Sequence, residues 1–350
     1  MKVAIIGFGG IGEHHYLKTC EYNTRDIGEK IEVIGIFDND FCVKSKAEKY
    51  NLKFYSDSDE VFKDKNIEAV IIAVPNDCHL FYVESAAKNG KNIICEKPVA
   101  LNTNEFIRMR EAADKFKVKF TVHQNRRWDK DYLIIKNIMQ NNLIGNFTLI
   151  ESNVTGSNGI PGGWRKKTAC GGGMMLDWGV HLIDQLVMLD LGDIDYLYCG
   201  YSFFYGEEVE DGFTLFLTYK NGLKAEIKLD TNSFKNLPRW RICGENGGAI
   251  IENWECQGGI TTVKDRFDKN LKGITAGNGY TKTMAARSLE TVENIPLPEC
   301  ENMNFEFYRN FIAACRNKEQ LHVKYDEVLK TFKIMEAANI SAKKHKIVKL

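Results

Sequence analysis

The sequence predicts a two-domain α/β protein. An N-terminal domain, residues 1–123, is expected to hold a doubly wound parallel sheet, and a C-terminal α+β domain, residues 124–350, a largely antiparallel sheet with covering helices. Three observations carry this prediction: a glycine-rich turn after the first apolar run, single helical segments between the apolar runs up to residue 122, and alternating apolar and polar residues after residue 147. Strands joined by single helices form parallel sheets, whereas alternation is typical of antiparallel ones.

The first apolar run, Lys2 to Gly7, is followed by GFGGIG at 7–12 and by a helix-compatible segment, Glu13 to Glu21. A G-x-G-x-x-G between a strand and a helix lets the pyrophosphate of a dinucleotide rest on helix N-terminal amides. The next strand, Glu32 to Phe37, ends in Asp38, whose carboxylate can accept hydrogen bonds from the adenosine ribose. These features predict a Rossmann dinucleotide site. Its predicted residues in this part of the chain are Gly7, Phe8, Gly9, Gly10, Ile11, Gly12 and Asp38.

Asp38 also predicts that the cofactor is NAD, with NADP disfavoured. The neighbours Asn39 and Asp40 supply no cation for a 2′-phosphate. A close, unpaired contact between like charges would cost several kcal/mol.

The alternation of strands and helices continues through the first domain. Further strands are predicted at 53–55, 69–74, 91–95 and 118–122, and helices at 41–50, 59–64, 79–88 and, from a capping box at Asn102 and Glu105, to residue 115. In the second domain, strands are predicted at 147–154, 196–204, 213–219, 223–229, 239–243 and 249–252, and helices at 132–140, 304–316 and 326–342. Asn221-Gly222 indicates a hairpin. Residues 257–300 show little periodicity and are interpreted as a long functional loop region.

Two strand ends are informative, because ligands of doubly wound sheets bind beyond the carboxyl ends of the strands. They are Val74-Pro75-Asn76 and Glu96-Lys97-Pro98, all but Pro98 predicted to contact the cofactor. Lys97 precedes a proline that cannot continue the strand in the sheet, so its amine is expected to point into the crevice. An exposed strand-end lysine is the alternative. His79 opens a helix, where capping or packing is the alternative to a cofactor contact.

A second group of polar residues lies in GGGMMLDWGVHLIDQ, residues 171–185. The three glycines predict a loop, and the apolar spacing after them predicts a helix. Asp177 and His181 stand four residues apart, so the spacing places them on one helix face. A carboxylate beside an imidazole can tune a general base to a pKa near neutrality, and an exposed ion pair is the alternative. No metal site is predicted, because no second His or Cys stands nearby at ligand spacing.

Composition limits the class of protein and its partners. Lys+Arg and Asp+Glu both number 47, and no long basic run occurs, so no nucleic-acid partner is expected. The first strand leaves no room for a signal peptide and no apolar run reaches membrane-spanning length, so neither secretion nor a membrane partner is expected. The ten cysteines include no Cys-x-x-Cys and are expected to be reduced thiols in a cytoplasmic protein. His14 and His15 are assigned no function.

Four motifs taken together resemble the Gfo/Idh/MocA family, which includes glucose–fructose oxidoreductase and inositol dehydrogenase. They are GFGGIG at 7–12, AVPNDCH at 73–79, CEKP at 95–98 and GGGMMLDWGVHLID at 171–184. The resemblance covers essentially the whole chain. HQNRRWDKDY at 123–132 is similar to the myo- and scyllo-inositol dehydrogenases and their sugar-oxidising relatives, whereas residues 277–298 match nothing that indicates a substrate.

The resemblance implies that Lys97, Asp177 and His181 are catalytic and contact the substrate. His181 would accept the hydroxyl proton, Asp177 would orient the substrate or the imidazole, and Lys97 would stabilise charge on the reacting oxygen. We expect the Asp177 carboxylate to outweigh burial and to raise the pKa of His181 to about 6.5 or above. Arg127 and Trp164 could line the polyol pocket, and for each of them a domain-linking ion pair or core packing is the alternative.

The implied function is that of an NAD-dependent dehydrogenase oxidising a cyclitol or an aldose, as a homodimer or homotetramer assembled through the C-terminal sheet. One alternative is a redox-neutral glycosidase that uses NAD transiently. The other is a non-catalytic sensor of a nucleotide or sugar, against which the intact Lys97, Asp177 and His181 argue.

Overall fold

The computed structural model describes residues 1–265, 272–285 and 287–350. The first of its two main sheets is parallel throughout. Its strands are β1 (Lys2–Ile6), β2 (Glu32–Phe37), β3 (Lys53–Tyr55), β4 (Ala69–Ile72), β5 (Asn92–Cys95) and β6 (Phe120–Val122). The helices between them are α1 (Gly10–Thr24), α2 (Lys44–Lys49), α3 (Ser58–Lys63), α4 (His79–Lys88) and α5 (Thr103–Lys115). The strand order is β3-β2-β1-β4-β5-β6. The predicted doubly wound sheet is therefore confirmed.

Local hydrogen bonds fix where these elements begin and end. Asn102 accepts the N–H of Glu105 at 3.0 Å, and the Glu105 carboxylate accepts the N–H of Leu101 at 3.0 Å, so two free amides at the start of α5 are satisfied. Strand β4 ends at Ile72, two residues earlier than predicted, because the chain turns there toward a 3-10 turn at Asn76–Cys78.

The second sheet has nine strands. They are β7 (Phe147–Thr155), β8 (Ile194–Ser202), β9 (Gly212–Tyr219), β10 (Lys224–Asp230), β11 (Trp240–Gly244), β12 (Gly247–Ile251), β13 (Gly258–Val263), β16 (Val292–Ile295) and β17 (Val348–Lys349), with β14 (Ile274–Ala276) and β15 (Gly279–Thr281) forming a separate hairpin. The order is β16-β13-β12-β11-β7-β10-β9-β8-β17. Strands β7 and β10 pair in parallel and the other neighbours antiparallel, so the sheet is mixed but largely antiparallel, as predicted.

Alternation along each strand gives this sheet one buried and one open face. In β10, Ala225, Ile227 and Leu229 are buried, while the residues between them are partly accessible. The buried face packs against α6 (Lys130–Gln140), α7 (Val180–Met188) and α9 (Tyr325–Lys344). Among the helices that the structure describes, none combines the length and apolar character needed to cross a membrane.

The region predicted as a loop, residues 257–300, contributes two strands to the second sheet. Strand β13 pairs with β12, and β16 pairs with β13 at the sheet edge. The interpretation as a long loop region is therefore wrong for these strands, because their alternation is too short to be distinguished from a loop by periodicity. Residues 266–271 and 286 of this region lie outside the described residues.

Helix α8 (Phe305–Cys315), near the end of the chain, packs against α1 of the first domain. Its Phe307, Tyr308, Phe311 and Ile312 belong to the same buried core as β1, β4 and β5. The last part of the chain therefore covers the domain formed by the first part. The proposed division at residues 123 and 124 stays a prediction.

A buried ion-pair cluster ties the segment after β6 to the helices of the second domain. The Arg127 guanidinium donates to both Asp184 carboxylate oxygens, at 2.7 and 2.8 Å, and to Glu327 at 2.6 Å. Asp184 lies on α7 and Glu327 on α9. The two acidic partners raise the pKa of Arg127 against the opposing effect of its burial, so the residue stays charged.

Candidate active site

A cavity of about 630 Å³, here called the strand-end cavity, opens beyond the carboxyl ends of β1, β2, β4 and β5. This is the place predicted for a ligand of a doubly wound sheet. The glycine loop and Asp38 line one end, and Lys97 and Asp177 line the other. The predicted residues that line it are Gly7, Gly9, Gly10, Ile11, Asp38, Val74, Pro75, Asn76, Glu96, Lys97, Trp164 and Asp177. A further cavity of about 440 Å³, beside α9, contains none of the predicted site residues.

The glycines of the loop serve different purposes. Gly7 has φ +86°, and a Cβ there would lie 2.5 Å from the Ala73 carbonyl oxygen, so the turn out of β1 excludes other residues. A Cβ on Gly12 would collide with the Gly7 carbonyl, so this glycine allows α1 to approach β1. A Cβ on Gly9 or Gly10 would meet nothing within 4 Å. The second glycine therefore leaves open space at the N-terminus of α1, where a pyrophosphate fits.

Asp38 closes the adenosine end of the cavity. Its carboxylate accepts the backbone N–H of Phe8 at 2.6 Å and that of Asp40 at 2.9 Å, which holds the glycine loop against the end of β2. Among the described residues that line the cavity, the cations are Lys97 and Arg165, both at the opposite end. The open space at the N-terminus of α1 and the acidic end together fit a dinucleotide.

Lys97 and Asp177 meet at the other end, one from each domain. The Lys97 Nζ atom donates to Asp177 Oδ1 at 3.0 Å and to the Asp177 carbonyl oxygen at 2.9 Å. Both side chains keep 18% of their surface exposed, so the pair borders the cavity and is not sealed in the core. Arg165 places its Nε atom 3.7 Å from Asp177 Oδ2. Sequence reasoning missed Arg165, because no pattern distinguishes it from Lys166 and Lys167 beside it.

His181 is near enough to Lys97 to be affected by its charge, but it is not among the described residues that line the strand-end cavity. Residues Met175–Gly179 form a π-helical turn in which the Val180 N–H bonds the Met175 carbonyl, so the regular i, i+4 spacing is interrupted between Asp177 and His181. The carboxylate engages Lys97, and within the described part of the chain the buried Nδ1 atom of His181 has no hydrogen-bond partner. The alternative in which Asp177 orients the imidazole is therefore not what the structure shows.

The expected rise in the pKa of His181 is also wrong. Burial, followed by the charges of Lys97 and Arg126, lowers the pKa of His181 well below its usual value near 6.5. The sequence argument assumed a cleft open to water, but only 4% of His181 is exposed. The imidazole is consequently neutral at neutral pH, the protonation state that a general base requires.

Three predicted cofactor residues support the strand-end cavity without lining it. Phe8 is buried and contributes its N–H to Asp38, and Gly12 permits the close packing described above. The His79 ring nitrogens lie 3.0 Å from the carbonyl oxygens of Val74 and Pro98. His79 is fully buried, so the packing alternative describes it and the predicted direct cofactor contact does not.

The sequence left open whether Trp164 and Arg127 contact the substrate, and the structure places the two residues differently. Trp164 lines the strand-end cavity next to Arg165, whose guanidinium carbon lies 4.6 Å from the centre of the indole ring. Arg127 does not line it, since its guanidinium is committed to Asp184 and Glu327. Arg127 therefore belongs to a buried ion-pair cluster whose members all lie in residues 124–350, so the pair does not link the two predicted domains, and the structure places no substrate contact there.

Comparisons with known proteins agree with this geometry. Residues 1–124 match the model of an oxidoreductase family with an NAD-binding Rossmann fold, and residues 132–250 match the Gfo/Idh/MocA C-terminal domain. The chain belongs to the Gfo/Idh/MocA family. A solved NAD-binding protein from Listeria innocua in particular is 36% identical, with a TM-score of 0.92 over 100% of this chain and 99% of its own.

Relatives of this Gfo/Idh/MocA chain include two named inositol dehydrogenases. The NADP⁺-linked scyllo-inositol 2-dehydrogenase of Bacillus subtilis is 24% identical over 100% of this chain and 96% of its own. The myo-inositol 2-dehydrogenase of Thermotoga maritima is 27% identical over 72% of this chain and 75% of its own. The predicted class, an NAD(P)-dependent oxidoreductase acting on CH–OH groups, is confirmed by the family and by relatives named as dehydrogenases.

Substitutions of Gly7 and Gly9 give a matched test of the glycine loop. Gly7→Ala should destabilise the protein by about 1–2 kcal/mol or more, because the left-handed backbone and the Ala73 carbonyl both oppose a Cβ. Gly9→Ala should leave the free energy of unfolding within about 0.5 kcal/mol, but its methyl group would occupy the cavity and weaken dinucleotide binding. Urea unfolding and calorimetric titration with NAD⁺ and NADP⁺ measure the two effects. Wild-type affinity in Gly9→Ala would contradict the loop's contact with pyrophosphate.

Proposed function

We propose that this protein is an NAD-dependent dehydrogenase that oxidises a secondary alcohol of a ring polyol, either a cyclitol such as inositol or an aldose. The observation that carries the proposal is the Lys97–Asp177 pair at the end of the strand-end cavity opposite Asp38, with the neutral imidazole of His181 beside it. Relatives named as myo- and scyllo-inositol dehydrogenases support the substrate class, at 24–27% identity.

Oxidising an alcohol requires a hydride acceptor at the carbinol carbon and a proton acceptor at its hydroxyl. Nicotinamide, when bound, supplies the hydride acceptor. In the proposed mechanism His181 accepts the hydroxyl proton, since burial keeps it neutral. The Lys97 ammonium hydrogen-bonds the reacting oxygen and stabilises the negative charge that develops there. Asp177 fixes the Lys97 side chain and so its position relative to the substrate.

The walls of the same end of the cavity suit a polyol. Trp164 offers an aromatic face for the apolar side of a sugar or cyclitol ring, and Arg165 offers several N–H donors for its hydroxyl oxygens. Both residues follow the second-domain strand β7, whereas Lys97 follows β5 of the first domain. The proposed substrate would therefore be held by both domains.

The open face of the second sheet supports assembly into a homodimer or homotetramer. Tyr198 and Phe216 are cross-strand partners on β8 and β9, and they leave 38% and 45% of their surfaces exposed. Aromatic side chains are enriched in subunit interfaces, so this face is the proposed contact between copies. The proposal includes neither a nucleic-acid nor a membrane partner, and a cytoplasmic location stays a prediction.

A screen of cyclitols and aldoses with NAD⁺ and NADP⁺ tests the proposed function. Substrate-dependent accumulation of reduced nicotinamide is expected for at least one ring polyol. A redox-neutral glycosidase would release sugar without accumulating reduced cofactor, and a sensor would bind ligand without turnover. Either of these results, with no oxidation of any polyol, would contradict the dehydrogenase.

Cofactor preference is expected to depend on Asp38. Asp38→Ser combined with Asn39→Arg should shift the ratio of kcat/KM from NAD⁺ toward NADP⁺, because it removes a carboxylate and adds a cation at the adenosine end. The loss of the bonds to Phe8 and Asp40 should lower stability, so Asn39→Arg alone is the control that retains them. Equal efficiency of the wild type with both cofactors would contradict the preference for NAD⁺.

Lys97→Ala should abolish turnover while leaving NADH binding nearly intact. Loss of a positioned charge stabiliser typically lowers the rate by a factor of ~10²–10³, and Lys97 stands at the end of the cavity away from the adenosine site. Steady-state kinetics and a fluorescence titration with NADH separate the two effects. Near-wild-type turnover would place the amine outside the chemistry.

The pH dependence of oxidation should reflect the lowered pKa of His181. Oxidation needs the neutral imidazole, so kcat/KM should be flat above about pH 6.5 and fall only at lower pH. His181→Asn should lower the rate and remove that acid limb. Buried neutral histidines also destabilise the fold below the unfolded-state pKa of about 6.5, so the unfolding free energy must be measured at each pH. An acid limb that persists unchanged in His181→Asn would make Lys97 the first alternative base.

A further inference from the structure

A buried cluster of four side chains, here called the Glu96 network, lies directly behind Lys97. The Glu96 Oε1 atom is 2.7 Å from His15 Nε2 and 2.6 Å from His123 Nδ1, and Glu96 Oε2 accepts the Lys97 backbone N–H at 3.1 Å. The fourth member, Tyr308, has its hydroxyl 2.8 Å from His15 Nδ1. All four residues are at most 8% exposed.

The partners determine where the protons lie in this network. An ionised Glu96 can only accept hydrogen bonds, so His15 donates to it from Nε2, and a neutral His15 then accepts the hydrogen bond of the Tyr308 hydroxyl at Nδ1. His123 donates to the same oxygen from Nδ1. Burial lowers the pKa of His15 and raises that of Tyr308, so both are uncharged. Burial also acts to raise the pKa of Glu96, but the two imidazoles outweigh it and hold that pKa well below its usual range.

The network therefore contains an ionised carboxylate whose partners are imidazole N–H groups and a backbone amide. The same three side chains, His15, Glu96 and His123, also bring three potential metal-ligand atoms together. A zinc ion about 2.0–2.1 Å from each ligand would keep the ligand atoms roughly 3.3 Å apart. The observed 2.6–2.7 Å separations are those of hydrogen bonds, so the geometry favours a charge network over a metal site.

Glu96 also lines the strand-end cavity beside Lys97, at the end opposite Asp38, and its side chain keeps 10% of its surface exposed. A dinucleotide with its adenosine at Asp38 and its pyrophosphate at the glycine loop would place its nicotinamide at this end. The other carboxylate here, Asp177, is paired with Lys97 and lies within 3.7 Å of Arg165. Of the described carboxylates lining this end, Glu96 is the one with neither a lysine nor an arginine side chain among its hydrogen-bond partners, which are two imidazoles and a backbone N–H.

We propose that the buried Glu96 carboxylate stabilises the positive charge of the oxidised nicotinamide ring and so favours binding of NAD⁺ relative to NADH. The inference rests on the proposed function, since it assumes that the strand-end cavity holds a nicotinamide dinucleotide. The ring carries a positive charge when oxidised and none after it accepts a hydride. A nearby carboxylate attracts only the charged form, and it does so strongly where water is excluded. His15, His123 and Tyr308 keep that carboxylate ionised and in place.

Binding of the two redox forms to the full-length protein, without substrate, tests the inference. Glu96→Gln removes the charge and keeps a carbonyl oxygen that can accept from both imidazoles, but its NH₂ group would face the Lys97 N–H and lose that hydrogen bond. At about pH 8, above the ordinary imidazole pKa, its affinity for NAD⁺ should fall about tenfold, which corresponds to ~1.4 kcal/mol. Its affinity for NADH should change by less than about threefold, the size of an ordinary surface substitution. Calorimetric titrations give both dissociation constants.

Two control variants separate charge from packing. Tyr308→Phe removes the hydrogen bond to His15 but leaves the carboxylate, so the ratio of NAD⁺ to NADH affinity should stay at the wild-type value. Glu96→Asp perturbs the same contacts but keeps the charge, so its ratio should stay within about threefold of wild type. If Glu96→Gln does not fold, Glu96→Asp alone still tests the inference. A change of more than about threefold in its ratio of NAD⁺ to NADH affinity would overturn the inference.

The outcomes also separate this inference from the proposed function. Equal losses of NAD⁺ and NADH affinity in Glu96→Gln would show that Glu96 only supports packing, and would overturn the inference while leaving a dinucleotide site in place. A ratio that changes as much in Tyr308→Phe as in Glu96→Gln would overturn it as well. Wild-type protein that binds neither redox form would overturn the proposed function and this inference with it.

Discussion

The ion pair between Lys97 and Asp177 is the contact on which the candidate site depends. Lys97 is placed by β5 of the parallel sheet and Asp177 by the π-helical turn before α7, so the pair exists only when the two domains are docked. Its partial exposure at the end of the strand-end cavity keeps both groups available to a ligand. A charge pair at such a boundary is held by the surrounding fold, since two flexible side chains at a free surface would gain little from pairing.

The placement of the elements around the site depends on buried polar groups as well as on apolar packing. Arg127 joins the segment after β6 to α7 and α9 through Asp184 and Glu327. The Glu96 network joins α1, the ends of β5 and β6, and α8. Buried charges with satisfied partners tolerate little displacement, because removing one partner leaves the other uncompensated. These networks therefore fix the relative position of the elements that carry the site.

The desolvation that these networks and the apolar core create also sets the chemistry at His181. Burial and the nearby Lys97 and Arg126 charges make the neutral imidazole the stable form. A carboxylate next to the imidazole would have raised the pKa of His181. The π-helical turn instead leaves Asp177 paired with Lys97. Local spacing alone thus gave the wrong direction for the pKa of this residue.

The sequence by itself determined the elements whose signals are local. The glycine loop, Asp38 at the end of β2, the capping box of α5 and the alternating strands of the second sheet depend on backbone sterics and periodicity, which a few neighbouring residues express. Only the tertiary structure decided which side chains meet. It assigned Arg127 to an ion pair, His79 to packing, Arg165 to the site and His15 to the Glu96 network. Those contacts join residues far apart in the chain, and the desolvation of a group depends on everything packed around it. A local sequence pattern therefore predicts neither the contacts nor the desolvation.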